Sequence, residues 1–467
     1  MARVATELTA LAAALRSLRA GWRPAPSSPT AAELEPVLQE VARRLAAEPP
    51  YGDPFYLGHM LKPPHPVARL AYALTLWLNP NNHASDAGAA TSRMELEALR
   101  ALARLYGWRD AAGHLCSGGT VANLEALWIA REALRARGIA RPAIAASAQA
   151  HYCHARAAAL LDLPFHAVPT DARGRLSLAA LEALLAREPI AIVVATLGTP
   201  LNGAVDPLDA LAEQCAARGL RLHADAAYGG YFPLAGNLVP DTRAALAALP
   251  RADSLVVDPH KHGLQPYGCG AILLRDPGEQ RFYAHAADYA YHADEGPHLG
   301  RAALECSRPG AAAAALWATL RLLPLVPGGE FARGLEAGHR AALGLWRGLR
   351  DIPAFCAPAP PELDVVVWAL RAPCASAASA AARRFHAQAR AQGLHLSLAR
   401  LPRTLFAEAA PVTSWDEPAL IGLRACLMKP EHEAALPALL DRLAALADPH
   451  GAGEGAAAHN GGLTAVT

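Results

Sequence analysis

IAIVVATLGTPLNGAVDPLDALAEQCAARGLRLHAD occupies residues 190–225. Its opening, IAIVVAT (190–196), is an apolar run of strand length, which predicts a strand buried on both faces. DPLDALAEQCAARG (206–219) then reads as a helix, with Asp206 as its cap and Gly219 as its stop. LRLHAD (220–225) is a second strand ending in a carboxylate. A strand, a helix and a strand in so few residues form a crossover unit, the building block of a parallel sheet.

The same rhythm extends in both directions. Upstream, SGGTVANLEALWIAREALRARG (117–138) opens on small residues and continues as a helix. RPAIAAS (141–147) reads as a strand, HARAAALL (154–161) as a helix and LSLAALEALLARE (176–188) as another. Downstream, SLVVD (254–258) and GAILLRD (270–276) are further strands. This alternation predicts an α/β domain with a mostly parallel sheet and helices on both faces.

Outside that core the pattern changes. Residues 1–50 read as helical arms, and the segment 49–80, with YGDPFYLGHMLKPPHP at 51–66, reads as irregular. A helical period returns from Thr91 to Gly107. Beyond Gly328, DVVVWALR (364–371), a helix over 376–391, LHLSLAR (394–400), LIGLRACLM (420–428) and a helix from Glu431 give a smaller α+β domain. The expected division is an N-terminal arm and substrate-shaping segment over 1–90, a large domain over 91–330, a small one over 331–447 and a disordered tail over 448–467.

The totals narrow the function classes. With 467 residues, 53% hydrophobic side chains and 43 basic against 42 acidic groups, the chain has no basic excess to recruit nucleic acid or an anionic membrane. Eight scattered cysteines without CxxC spacing suit reduced thiols in a cytoplasmic protein. No run approaches the roughly 20 apolar residues of a membrane span.

Ligands of open parallel sheets bind at the carboxyl ends of the strands. Asp225 closes one strand, Thr199 follows another, and Lys261 follows a third within VVDPHKHGLQPYGCG (256–270). SGGT (117–120) offers free N–H groups at a helix start, where a phosphate can sit. A phosphate cradle, a carboxylate and a lysine are together what pyridoxal 5′-phosphate requires.

At these residues the chain resembles the pyridoxal-phosphate group II amino acid decarboxylases, the aromatic amino acid, glutamate and tyrosine decarboxylase type. The likeness covers roughly residues 50–445. It rests on DPHK at 258–261, HADAAYGG at 223–230, SGGTVANLEAL at 117–127 and QAHYCHARAAALL at 149–161. TLGTPLNGAVDPLDAL (196–211) and LECSRPGAAAAALW (304–317) add to it.

The resemblance implies the fold type I architecture of pyridoxal-phosphate enzymes. It implies that Lys261 holds the cofactor as an imine, with His260 assisting at the phosphate. Asp225 would pair with the ring nitrogen, Ala227 would pack beneath the ring and His151 would stack above it, although a buried hydrogen-bonded histidine is the ordinary reading of His151. Gly119 and Thr120 would bind the phosphate, with Thr199 nearby. Tyr289 or Tyr291, in RFYAHAADYAYHADEG (281–296), would return the proton after carbon dioxide leaves. NPNNHASDAGAATSR (79–93) would shape a substrate pocket shared across a homodimer. Arg424 is a candidate anchor for a substrate carboxylate, or a structural arginine.

Two positions depart from the family pattern: Cys153 stands where serine is more common, and Pro200 where a second threonine is common. HYCH lacks the second ligand pair of a metal site, so no metal is expected. The expected reaction is α-decarboxylation of an L-amino acid. An aminotransferase, an oxygen-dependent decarboxylating deaminase and a non-catalytic binding protein are the alternatives.

Overall fold

The computed structural model describes residues 2–18, 29–286, 288, 291 and 298–448. Two helices, α1 (Ala2–Leu18) and α2 (Ala31–Leu45), precede α3 (Pro66–Thr75) and α4 (Ala89–Leu105). The large domain follows as β1 (Ala112–Cys116), α5 (Gly119–Arg135), β2 (Ala143–Ser147), α6 (Cys153–Leu160), β3 (Phe165–Val168), α7 (Leu178–Leu185) and β4 (Ile190–Thr196). It continues through α8 (Leu208–Arg218), β5 (Arg221–Asp225), α9 (Pro240–Ala247), β6 (Ser254–Val257), β7 (Gly270–Leu274) and α10 (Gly310–Leu322).

These seven strands form one sheet in the order β1-β7-β6-β5-β4-β2-β3. All neighbours are parallel except those of β7, which runs against both β1 and β6. Side chains alternate across the sheet, so Ile192 and Val194 meet α5 and α6 while Val193 and Ala195 meet the core under α4 and α8. Six strands therefore point their carboxyl ends to one edge of the sheet.

The small domain comprises α11 (Glu330–Arg350), β8 (Phe355–Cys356), β9 (Val365–Leu370), β10 (Ala372–Cys374), α12 (Ala375–Ala391), β11 (Ser397–Pro402), β12 (Val412–Ser414), β13 (Ala419–Cys426) and α13 (Glu431–Ala447). Its antiparallel sheet has the order β11-β13-β9-β8 and packs Trp368, Val366 and Leu423 against Leu345, Phe385 and Leu443 of the helices. The irregular stretch before α3 joins this domain. Leu57 N–H donates to His395 O, and Lys429 Nζ donates to the carbonyls of Tyr51, Asp53 and Tyr56 at 3.0, 2.8 and 2.7 Å.

A buried hub fixes the first turn of the site. Arg308 donates to Glu95 Oε1 and to Leu115 O, each at 2.6 Å, and to Asn82 O at 3.0 Å. The same Glu95 accepts the Leu115 N–H at 2.8 Å, which locks β1 two residues before Ser117.

Four expectations change. Residues 49–80 are not wholly irregular, because α3 begins at Pro66, and a proline in the first helical turn loses no helix hydrogen bond. Strands β1 and β3 were not anticipated. Asp206 does not cap α8: Pro207 takes that place, while Asp206 accepts the N–H groups of Leu176 and Thr196 at 2.6 and 2.8 Å. Gly219 ends α8 as expected, in the left-handed conformation at φ 67°. The helix expected from 117 begins at Gly119. The tail from residue 449 and Tyr289 lie outside the described residues.

Candidate active site

A cavity of about 560 Å³ opens at the carboxyl edge of the large sheet. Lys261, Asp225, His151, His260, Ala227, Gly119 and Thr120 all line it, together with Ser117, Asn123, Asp258, Tyr228 and Tyr267. Residues from outside the large domain complete the wall: His59 and Met60 from the stretch before α3, and Arg424 from β13. A larger groove of about 720 Å³ lies at the opposite edge, where Arg221 pairs with Glu279 and Arg275 with Asp253. None of the candidate site residues lines it.

Lys261 sits on the turn after β6, its N–H bonded to Asp258 O at 2.9 Å. Its Nζ lies 3.1 Å from Asp258 Oδ2. Burial alone would depress this ammonium, but the carboxylates of Asp258 and Asp225 outweigh it and hold the group above its ordinary range. The other Asp258 oxygen, Oδ1, is buried with no hydrogen-bond partner.

Asp225 ends β5, the strand beside β6. Its Oδ1 accepts the Ala227 N–H at 3.1 Å, and its Oδ2 lies 2.8 Å from His154 Nε2. Burial pushes this carboxyl up, but the hydrogen bond from His154 and the cations around it prevail, so it stays ionised well below the usual range.

His151 follows β2, half-buried. Its Nδ1 accepts the Cys153 N–H at 3.2 Å, which leaves the proton on Nε2. Burial lowers its affinity for a second proton. His260 donates Nδ1–H to Cys269 O at 2.8 Å, and its ring lies against Tyr267 with centroids 4.9 Å apart. Burial keeps it below its ordinary range also.

The start of α5 is a tight cradle. A Cβ on Gly119 would stand 2.8 Å from Asp258 Oδ2, and one on Gly270 would stand 2.5 Å from Gly118 Cα. Only bare backbone lets these segments meet, and Gly118, Gly119 and Thr120 at the start of α5 line the cavity.

Thr199 departs from its expected place. It is fully buried, its hydroxyl donates to Asn202 Oδ1 at 2.9 Å and accepts the Ala204 N–H at 3.1 Å, and it does not line the cavity. Gly198 and Pro200 face the cavity on either side of it. Tyr291 donates or accepts at 3.2 Å with His83 Nδ1. Arg424 donates to Pro200 O at 2.6 Å and to Gly58 O at 3.4 Å.

His154 and Asp258 were not singled out in the sequence, although both stand inside quoted motifs. Beside His154 runs a separate set of buried polar contacts: Asn123 Nδ2 meets Cys153 Sγ at 3.6 Å, and His223 bridges Asn123 and Ser254 at 2.8 and 2.9 Å. Ligand atoms of Cys153, His154 and Asp225 lie within 4.8 Å of one another, the spacing of a possible metal site. Within this group His154 Nε2 and Asp225 Oδ2 face each other in a hydrogen bond, and burial pushes the Cys153 thiol up to about 12.

The cavity suits a phosphorylated pyridine aldehyde. It pairs an amine with a carboxylate on the next strand, sets a glycine-backed helix start beside them, and leaves a buried carboxylate oxygen without a partner. A mostly parallel seven-stranded sheet with this mouth is the architecture of fold type I pyridoxal-phosphate enzymes. The chain belongs to the pyridoxal-dependent decarboxylases, whose conserved domain matches residues 30–366. It is thus an amino acid decarboxylase, a carboxy-lyase with pyridoxal 5′-phosphate as cofactor.

A probable L-tyrosine/L-aspartate decarboxylase of Methanothermobacter thermautotrophicus is 33% identical, over 63% of this chain and 76% of its own length. An L-tyrosine decarboxylase of Levilactobacillus brevis is 30% identical over 67% and 66%. An L-2,4-diaminobutyrate decarboxylase of Rhizobium meliloti is 35% identical over 59% and 60%. Mouse CSAD in apo form superposes with a TM-score of 0.76 at 22% identity, covering 93% of this chain and 92% of its own. Oryza sativa TDC with PLP and tryptamine gives 0.74 at 21%, covering 92% and 91%. At those identities the two structures establish the shared fold.

Proposed function

We propose that the chain removes the α-carboxylate of an L-amino acid as carbon dioxide, taking up one proton at Cα to give the amine, with Lys261 as the cofactor-holding amine. The observation that carries this reading is that Lys261 and Asp225, from adjacent strands, face one cavity. Bound pyridoxal phosphate supplies the electron sink for the pair released as the carboxylate bond breaks. The protein's own groups do the rest. The N–H groups at Gly119 and Thr120 would hold the phosphate, with His260 beside them. Ionised Asp225 would pair with the ring nitrogen of the bound cofactor and keep a proton there. His151 would cover one face of the ring and Ala227 the other, and the Nε2 proton of His151 would serve Cα. Asp258 keeps the Lys261 amine oriented. Arg424, held by two carbonyls, offers its remaining donors to a substrate carboxylate.

Two further features support the setting. Helix α2 buries no residue, yet Leu34, Val37, Leu38, Val41 and Leu45 form an exposed apolar stripe along it, which a second copy of the chain would cover. All eight cysteines are unpaired, which suits the cytoplasm, and no described helix is long and apolar enough to cross a membrane.

The test is a panel of L-amino acids, including tyrosine, aspartate, glutamate and 2,4-diaminobutyrate, assayed together for carbon dioxide, amine, aldehyde and peroxide. Amine and carbon dioxide in equal amounts are expected, and Lys261→Ala should abolish both turnover and the cofactor's visible absorbance. Aldehyde with peroxide would assign an oxidative deaminase, and an oxo acid an aminotransferase. Turnover by Lys261→Ala would remove the lysine from its role.

A further inference from the structure

His154 lies one helical turn beyond His151 on α6, fully buried. Its Nε2 approaches Asp225 Oδ2 at 2.8 Å, while its Nδ1 has no hydrogen-bond partner. A bare ring lone pair is tolerated in the interior far better than an N–H without an acceptor. The proton therefore sits on Nε2 and is donated to the carboxylate. Asp225 is thus held at both oxygens, by Ala227 N–H on Oδ1 and by His154 on Oδ2.

We infer that His154 is a positioning residue for the cofactor's ring nitrogen: its hydrogen bond fixes the plane of Asp225 and keeps that carboxylate charged where burial would neutralise it. A carboxylate that is 4% exposed and lacks such a donor gains a proton or rotates away, and either change weakens its hold on a pyridinium. The contact with Asp225 is the one side-chain hydrogen bond that His154 makes among the described residues. Its second nitrogen contacts no acceptor, and the carboxylate it serves stands 71 residues away on β5. The inference rests on the assignment of Asp225 to the ring nitrogen.

The experiment measures binding to the cofactor-free full chain, by titration, of pyridoxal 5′-phosphate and of 1-deazapyridoxal 5′-phosphate, in which C–H replaces the ring nitrogen. His154→Leu should weaken the first by about tenfold, the scale of a lost hydrogen bond to a charged group, and the second by less than twofold. His154→Gln, whose amide nitrogen reaches the Nε2 position, should restore most of the difference, and His154→Asn, which is too short, should not. These two polar variants carry the comparison if the leucine variant does not fold. Equal losses for both cofactors, or no loss for either, would overturn the inference by making His154 a packing residue. Asp225→Ala serves as the reference. If it fails to narrow the gap between the two cofactors, the assignment of Asp225 falls instead.

Discussion

Thr199 shows how one side chain can sit in a motif without serving the site. Its hydroxyl is spent on its own loop, donating to Asn202 and accepting from Ala204, and its neighbours face the cavity in its stead. Thr199→Val keeps the shape and orphans the buried Ala204 N–H. It should destabilise the fold by about 1–3 kcal/mol in urea titrations while leaving cofactor affinity within twofold. A tenfold loss of affinity at unchanged stability would return Thr199 to the phosphate. Lys261, Asp225 and His151 were legible in the sequence because each follows a readable strand, and strand ends are where such sheets bind. His154 was not legible: its meaning depends on a 2.8 Å approach to a residue 71 positions away, which no local pattern encodes. Asp258 sat in plain view beside Lys261, but only the 3.1 Å contact separates it from an ordinary turn aspartate.

Among the elements, the buried strands β4 and β6 announced themselves as apolar runs, whereas β1 and β3 did not. AGHLC carries a glycine and a histidine, and FHAV is four residues long and mostly half-exposed, so neither shows a strand period. They exist because neighbours with clearer signals offer them ladders. Asp206 tells the same story at a junction. The expected cap instead ties β4 to the turn before α7, holding two N–H groups in a fully buried place, where burial raises its carboxyl to about 7. Asp206→Ala should cost on the order of 3 kcal/mol by leaving both donors without partners. The sign with pH follows from the raised value. The unfolded chain loses this proton near pH 4, and the folded chain near 7. The group's contribution is therefore full below about pH 4 and lost as pH rises toward 7. The gap between wild type and Asp206→Ala, read from unfolding midpoints, should narrow over that interval. A constant gap would mean that Asp206 is ionised throughout.

At the scale of the whole molecule, the two-domain outline was readable from the change of rhythm near Gly328. The attachment of the N-terminal stretch to the small domain was not. Lys429 gathers three carbonyls from residues 51–56, a contact spanning more than 370 positions that no composition shift foretells. The apolar stripe of α2 is the other large-scale feature, since a helix with no buried residue gains little from folding against its own chain. If two copies of the chain pair through this stripe, the double variant Val37→Glu, Leu38→Glu should sediment as a monomer where the unaltered chain sediments as a dimer, with its circular dichroism retained. An unchanged dimer would place the interface elsewhere.

The cavity wall contributed by Arg424 has a consequence for kinship. That residue lies on β13, beyond the span 30–366 by which the family is recognised. Two chains alike throughout the recognised span can thus differ in the charge they set on the cavity wall. Efforts to retune substrate preference by directed evolution should accordingly diversify β13 and leave the shared signature untouched.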